Sequence, residues 1–300
     1  MKEFLNKKYK ANYNKLERVS KRVRRLLAPN PSPFTYYGTG TYIIGFKEVC
    51  IIDPGPKINI HINNLLSQIN KNLIKYILVT HTHADHSPAA EIIKKVTNAK
   101  TYGFGPYPNI KTDKEFEEGH DTKFVPDIFL KDGQEIKTKE WTIRAIHTPG
   151  HTSNHMCFSL EEEKILFTGD HVMGWATTVI VPPDGDMTAY IESLKKIEKL
   201  NHKKFFPTHG GAIEEPSKFV RALISHRKMR EKQIMNELSK NTIGLDRMVE
   251  KFYANTEKKL WKAAEKSLLA TLISLEKKGL VCRVKDNTFQ IDKWKLVENN

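Results

Sequence analysis

The sequence predicts an α/β chain: a large N-terminal domain of buried strands and amphipathic helices, followed by a small winged-helix domain. Three observations predict it. Short apolar runs such as residues 73–79 end in turns rich in His, Asp, Gly and Thr, as buried strands do when polar groups sit on the loops leaving them. Helical periodicity separates some of these runs, at 61–69 and 88–95. From residue 217 onward the pattern changes to three helices and then a hairpin, the order of a winged helix-turn-helix. The chain therefore divides into a basic N-terminal segment (1–28), a main domain (29–216) and a C-terminal winged-helix domain (217–300).

Composition sets the outer limits. Of 300 residues, 39% are hydrophobic and 28% charged, the proportions of a chain with a buried core and not of a disordered one. No apolar run approaches the roughly 18 residues of a membrane span, so no membrane association is expected. The N-terminus lacks an apolar leader-like run, and Cys50, Cys157 and Cys282 stand far apart in apolar contexts. Both features predict a cytoplasmic protein with reduced thiols. The formal net charge of +14 is unevenly placed: residues 1–30 carry +8, residues 217–300 carry +9, and the stretch between them −3. Basic flanks attract a polyanion, because phosphate contacts supply most non-specific nucleic-acid affinity. A lysine-rich chain with ordinary solvated faces would show the same totals.

Taken in order, residues 18–27 read as a helical turn or an entering edge strand, and the prolines at 29, 31 and 33 end it. Residues 38–45 and 49–52 read as a hairpin. Residues 61–69 fit a helix burying Ile62, Leu65, Leu66 and Ile69, with His61 expected on its exposed side. The helix at 88–95 has Pro88 in its first turn. Residues 103–121 form a Gly- and Pro-punctuated loop of a length usual for lids. Tyr102, Phe104 and Tyr107 there either line a cleft or pack the loop down, and His120 is expected at the surface. Strands follow at 141–146, 156–160 and 164–167, with a further apolar pair at 205–206. Helices are predicted at 222–238, 245–253 and 259–277, the last stopped by Gly279. Residues 280–284 and 288–291, joined by Asp286 and Asn287, make the hairpin. Lys258, Lys259, Lys262 and Lys266 share one exposed stripe of the third helix, where a recognition helix carries phosphate contacts. A helical lid or dimer contact is the competing reading.

Chemistry concentrates where strands end. Within six positions after the run 73–79 come His81, His83, Asp85 and His86. Three imidazoles and a carboxylate this close call for a cation, and these ligand types suit zinc and its first-row neighbours. Their spacing of two and three excludes the helical two-His zinc signature, which needs four. Three later strands end alike: His151 in the stretch 148–152, Asp170 in 167–170 and His209 in 207–211, each beside Gly or Pro that fixes a tight turn.

These four motifs, in this order, resemble those of the metallo-β-lactamase fold superfamily. The resemblance implies a four-layer αββα sandwich. It implies one metal held by His81, His83 and His151, a second held by Asp85, His86 and His209, and Asp170 bridging the two. The cofactor implied is zinc, one ion or two, with manganese as an alternative. Asp53 matches a carboxylate that supports the metal loops from behind, although an Asp before Pro-Gly also simply starts turns. Two positions depart from the family's habit: Gly40 where Asn is common, and Pro88-Ala89-Ala90 where Gly is usual. Only 39 positions separate Asp170 from His209, which excludes the large inserted domain of the RNA-processing β-CASP branch. A sandwich of this kind with a C-terminal winged helix resembles the subgroup of the mitochondrial β-lactamase-like endoribonuclease and its bacterial relatives, over roughly residues 29–290. The stretch 226–231 resembles that subgroup too.

The mechanism implied is hydrolysis by a metal-bound hydroxide, hydrogen-bonded to Asp85 and attacking a carbonyl or phosphoryl centre. Asp85 and His155 are the catalytic candidates, with His155 or a metal-bound water donating the proton to the leaving group. His147 is read as structural and His171 as a neighbour of the site. The first functional expectation is phosphodiester hydrolysis of single-stranded RNA, gripped through the basic flanks and the winged helix, with a homodimer as a candidate assembly. The alternative is (thio)ester hydrolysis of the glyoxalase II type. True β-lactam hydrolysis is disfavoured, since those exported enzymes usually carry Cys where Asp170 stands. A nucleic-acid-binding regulator that kept a metal for stability is disfavoured by the complete ligand set.

Overall fold

The computed structural model of the chain describes residues 11–108, 110, 119–285 and 292–297. Its first sheet has seven strands in chain order: β1 (Glu17–Arg18), β2 (Val23–Leu27), β3 (Gly40–Ile44), β4 (Val49–Ile52), β5 (Ile74–Leu78), β6 (Lys100–Gly103) and β7 (Ile128–Phe129). Pairing is antiparallel through β4 and parallel from β4 to β7. The change comes where α1 (Asn59–Ser67) and α2 (Ala89–Thr97) begin to carry the chain back between strands, as parallel neighbours require. The second sheet contains β8 (Glu135–Lys137), β9 (Thr142–His147), β10 (Met156–Leu160), β11 (Ile165–Gly169) and β12 (Lys204–Pro207), ordered β12-β11-β10-β9-β8. Helix α3 (Met187–Lys199) is the crossover that makes β12 parallel to β11.

Three apolar clusters are the three interfaces of a four-layer αββα sandwich. Ile44, Ile52, Leu78, Phe158 and Phe167 meet between the sheets. Ile51, Ile77, Ile62, Leu65 and Ile93 join the other face of the first sheet to α1 and α2. Leu166, Tyr190, Leu194 and Phe205 join the second sheet to α3, with Phe219 and Leu223 of α4 (Pro216–Leu238). Strands β4, β10 and β11 are covered on both faces, which is why they read as largely apolar runs without alternation.

The C-terminal domain has β13 (Ile243–Gly244), α5 (Leu245–Phe252), α6 (Trp261–Lys277), β14 (Val281–Lys285) and β15 (Asp292–Leu296), with sheet order β13-β15-β14. Ile234, Met248, Leu272, Leu275 and Trp294 form its core. It is seated firmly on the sandwich through the small-residue face of α6. Ser267 Oγ accepts the Ile180 amide (3.2 Å), Ser274 and Thr188 share a hydroxyl hydrogen bond (2.8 Å), and Lys277 pairs with Asp186 (2.7 Å). Helix α4 runs unbroken from one core into the other, so the expected boundary at 216/217 falls at the start of an element the two domains share.

Other expectations need correction. Strands β1 and β2 lie inside the stretch set apart as a basic segment, and Leu26 is fully buried in the core, so residues 17–27 belong to the first sheet. Arg25 is buried there too, its guanidinium donating to the Thr208 and Gly210 carbonyls, where a basic tail would have left it in water. The C-terminal hairpin has a described strand at Asp292–Leu296, while the turn expected at 286–287 and the strand expected at 288–291 lie outside the described residues. His61 is fully buried, turned inward to hydrogen-bond the Pro54 carbonyl. Among the described residues no helix is long and apolar enough to cross a membrane. The three cysteines are free, Cys50 and Cys157 buried and Cys282 half-buried.

Candidate metal centre

The edges of both sheets deliver the site. The loop after β5 carries His81, His83, Asp85 and His86; the loop after β9 carries His151; Asp170 follows β11 and His209 follows β12. All seven are buried, between 0% and 8% exposed. Three groups of donor atoms converge within 4.8 Å: His81–His83–His151, His81–His86–Asp170 and Asp85–His86–His209. His83 Nδ1 lies 2.9 Å from His81 Nε2 and 3.1 Å from His151 Nε2. His209 Nε2 lies 3.2 Å from Asp85 Oδ2 and 3.3 Å from Asp170 Oδ2, and His86 Nε2 lies 3.3 Å from Asp85 Oδ2. Asp170 Oδ1 approaches His86 Nε2 (3.5 Å) while Oδ2 approaches His151 Nε2 (3.9 Å), so this carboxylate spans the two triads.

The donor set fits a divalent metal pair. Ligand atoms about 2.0–2.1 Å from a tetrahedral zinc sit roughly 3.3 Å from one another, near the separations found here. Two buried atoms also lack any hydrogen-bond partner, His86 Nε2 and Asp170 Oδ1, and they face each other. Without an ion, charge balances by protons. Burial opposes the charged form of His86, yet the carboxylates of Asp85, Asp170 and Asp53 outweigh it and hold His86 well above the ordinary imidazole range. The same contest, won by Asp170 and Asp85, raises His209 to about 10. Burial likewise opposes ionisation of Asp85 and Asp170, but the His86 and His209 rings hold both carboxyls below their usual range. His81, desolvated and surrounded by imidazoles, is held well below its usual range. The Asp85–His86–His209 group thus gathers protons where a cation would sit.

Behind the donors, most rings are aimed by a second contact at Nδ1. His86 donates to Asp53 Oδ2 (2.9 Å), His151 to the Val179 carbonyl (2.9 Å) and His209 to the Gly38 carbonyl (3.1 Å). Each contact fixes the tautomer that leaves Nε2 free to bind a metal. His81 Nδ1 meets Thr80 Oγ1 (3.0 Å), whose own proton goes to Asp53 Oδ2 (2.8 Å). Asp53 also accepts from the Thr80 amide (2.8 Å) and Thr208 Oγ1 (3.0 Å), so one carboxylate braces the loops of His81, His86 and His209. Thr39 Oγ1 donates to Asp85 Oδ2 (2.8 Å). Thr39, Thr80 and Thr208 escaped the sequence reading; the signal was there in the threonine directly before His81 and before His209.

His155 does not fit the proton-donor role expected of it. It is fully buried behind His81, its Nδ1–H donates to Thr148 Oγ1 (2.9 Å), and its Nε2 accepts the Asp170 amide (3.2 Å). Both nitrogens are spent on holding the turns of His151 and Asp170. His120 is not a free surface residue: it forms a β-bridge with His83 and stacks on Tyr107, ring centroids 4.0 Å apart. His147 stacks on Phe104 and hydrogen-bonds the Ser153 carbonyl, a structural role. Tyr102 packs against Tyr76. His171 is buried beside Tyr190 and belongs to none of the donor groups.

The centre opens between Phe34, Thr35, Met173, Val179 and Val181. Phe34, Met173 and Val179 also line a second cleft of about 380 Å³, walled on its far side by α4, α5 and α6.

Residues 38–209 match the Metallo-beta-lactamase superfamily, and residues 245–294 match the Beta-lactamase associated winged helix domain. The Beta-lactamase-like protein 2 homolog of Caenorhabditis elegans is 32% identical over 288 residues, 93% of this chain and 91% of its own. An atrochrysone carboxyl ACP thioesterase of Claviceps purpurea is 32% identical over 75% of this chain and 68% of its own. Among solved structures, a beta-lactamase domain protein from Burkholderia ambifaria superposes with a TM-score of 0.81 at 17% identity, covering 99% of this chain and 98% of that one.

Proposed function

The chain belongs to the metallo-β-lactamase superfamily and is a metallo-hydrolase, and from that premise we propose that it cleaves phosphodiester bonds of single-stranded RNA with a zinc-loaded site. The observation that carries this reading is the pairing of a seven-donor site with a C-terminal domain of net charge +9, seated against the opening of that site. Lys258, Lys259 and Lys262 are exposed and alternate along the chain with Leu260 and Ala263, which line the cleft. A polyanionic strand is drawn to such a rim.

A bound metal pair would supply water activated at neutral pH and Lewis acidity toward the phosphoryl oxygen. His81, His83, His151 and His86, Asp85, His209 would hold it, with Asp170 between. Thr39 fixes Asp85 through Oδ2, leaving Oδ1 to accept a proton from the attacking water. Asp85 is ionised in this setting, as that acceptor must be. Phe34, Met173, Val179 and Val181 wall the opening with apolar surface that limits bulk water around the reacting groups.

A second reading has its own support. The Claviceps purpurea relative is named a thioesterase, and the apolar throat suits an acyl thioester as well as a nucleotide. One experiment separates them: a labelled single-stranded RNA and an acyl thioester are offered in parallel to zinc- or manganese-loaded protein and to His83→Ala. RNA cleavage lost in the variant, and suppressed steeply by salt, supports the nuclease. Turnover of the thioester alone replaces it.

A further inference from the structure

Resting on the ribonuclease reading, we propose that the cleft between the sandwich and the C-terminal domain is a nucleotide subsite. Arg227 and Arg230 would hold a phosphate flanking the scissile one, beside an aromatic wall for its base. The cleft is contiguous with the metal centre through Phe34, Met173 and Val179, and its volume of about 380 Å³ lies within the usual range for small-ligand sites.

Its charge is the telling feature. His226, Arg227 and Arg230 line it, and among the described residues no acidic side chain does. Arg227 is buried, 7% exposed, yet among the described residues it pairs with no carboxylate: one Nη2–H donates to the Thr178 carbonyl, the guanidinium lies over the Tyr190 ring (5.3 Å), and Nε has no hydrogen-bond partner there. Arg230 likewise has an Nε without a partner, and its other bonds are to Gln233 Oε1 and the Phe252 carbonyl, both neutral. A buried guanidinium left without a counter-charge is costly, and its planar fork matches phosphate oxygens. Burial and the two neighbouring guanidinia hold His226 down at about 4, so this ring offers a neutral hydrogen bond, the kind a ribose hydroxyl takes.

Aromatic rings complete the site. Arg230 lies over Tyr253 (4.3 Å to the ring centroid) and near Phe252 (5.6 Å), and Trp175 stands on the opposite wall, stacked on Tyr36 (4.8 Å). Rings beside arginines are how single-stranded nucleic acids are gripped without sequence readout. The placement also assigns the winged helix a job other than entering a duplex groove. One face of α6 is spent on docking to the sandwich, and Ala263, Ala264 and Ser267 form a wall of the cleft.

The test is anisotropy of a 3′-labelled RNA hexanucleotide on chelator-treated protein, where no cleavage competes, with steady-state cleavage of the same RNA by the zinc-loaded enzyme. Arg230→Ala is expected to weaken binding about tenfold, with Arg230→Lys in between. The slope of log affinity against log salt should fall by about one. KM should rise while kcat holds, and Tyr253→Ala should weaken binding without changing the salt slope. Lys218→Ala, at an exposed pair with Glu215, serves as the control. If wild type binds and cuts RNA but Arg230→Ala matches it in affinity and salt slope, the subsite is overturned while the nuclease stands. If wild type neither binds nor cuts RNA, the nuclease reading fails first. Arg230-dependent binding of 4′-phosphopantetheine by a protein that ignores RNA would assign the cleft to an acyl carrier and overturn the nucleotide assignment.

Discussion

His151 and Arg227 hang from consecutive residues of one strap: His151 Nδ1–H donates to the Val179 carbonyl at 2.9 Å, and an Arg227 Nη2–H to the Thr178 carbonyl at 2.5 Å. A ligand of the metal centre and a side chain of the C-terminal domain are therefore anchored on adjacent peptide units. Anything that loosens the strap on the α4 side changes how firmly the His151 ring is aimed. Arg227→Ala should weaken metal binding by up to about tenfold, toward the lower end of what losing a direct partner of a ligand costs. Titration against a chelating dye measures this; unchanged affinity would mean that the strap holds His151 by itself.

Asp53 is the stronger case, because its carboxylate gathers four donors from two ligand loops. It sits at φ +50, a conformation Asn also tolerates, so Asp53→Asn tests the charge without adding backbone strain. In the variant an amide NH₂ must face donors on one side. Metal affinity should fall about 10–100-fold, and the metal-free protein should lose roughly 1–3 kcal/mol from an unmatched buried donor. Metal content after dialysis and urea melts read the two effects separately.

Gly150 stands directly before His151 with φ +138, and a Cβ there would lie 2.3 Å from Tyr190 Cα, in the backbone of α3. Tyr190 is itself fully buried, so neither side can give way. Gly150→Ala should cost about 2–4 kcal/mol from combined strain and overpacking. It should also shift His151. A lower urea midpoint at unchanged m-value, with weakened metal binding, is the expected pair of results; a wild-type midpoint would mean that the turn rearranges freely.

Much of this was legible in the sequence for a definite reason. Metal ligands must be His or Asp, and here each follows a strand apolar enough to be recognised, so 73–79, 156–160 and the seven donors stand out unaided. What the chain does not announce is contact across long separations. His61 reads as a polar residue on an amphipathic helix, and only the fold shows that the Pro54 carbonyl, seven residues earlier, waits inside for it. His155 looks like a reagent because it neighbours a ligand; its partners Thr148 and the Asp170 amide become visible only when β9, β10 and β11 pair. Arg227 and Arg230 stand in a stretch read only for its likeness to a subgroup, and it takes the fold to show them lining a cleft with the strap 175–179. Short strands such as β7 and β13 carry too few residues for any periodicity.

Removing the metal tests the centre as a source of stability. An ion that binds only the folded chain stabilises it by RT ln(1 + [L]/Kd), about 4 kcal/mol at a thousandfold excess over Kd. For a chain of this size that corresponds to roughly 6 °C in Tm. Chelator-treated protein should melt lower by about that much and recover with added zinc. His83→Ala should melt near the chelated value and respond weakly to zinc. Equal melting with and without metal would leave the convergent donors without a stabilising ion.

Acid should expose His61. Its Nε2–H donates to the Pro54 carbonyl (3.1 Å) with Thr41 Oγ1 alongside (3.0 Å), and Nδ1 is buried without a partner, so there is no place for a second proton. Burial accordingly lowers its pKa to about 4, partly offset by the Pro54 hydrogen bond. The sign follows from linkage. The unfolded ring, near 6.5, takes up a proton first as pH falls, so the stability this histidine contributes is complete above about 6.5. It is lost progressively toward pH 4, amounting there to about 3 kcal/mol. Other buried histidines titrate in the same window, which makes the difference between two proteins the useful quantity. His61→Gln keeps a donor for Pro54 and removes the titration. Urea melts of both metal-free proteins at pH 7 and pH 4.5 should show the variant losing about 2.5 kcal/mol less than wild type. Parallel losses would mean that the buried ring accepts its proton through a rearrangement of the α1 N-terminus.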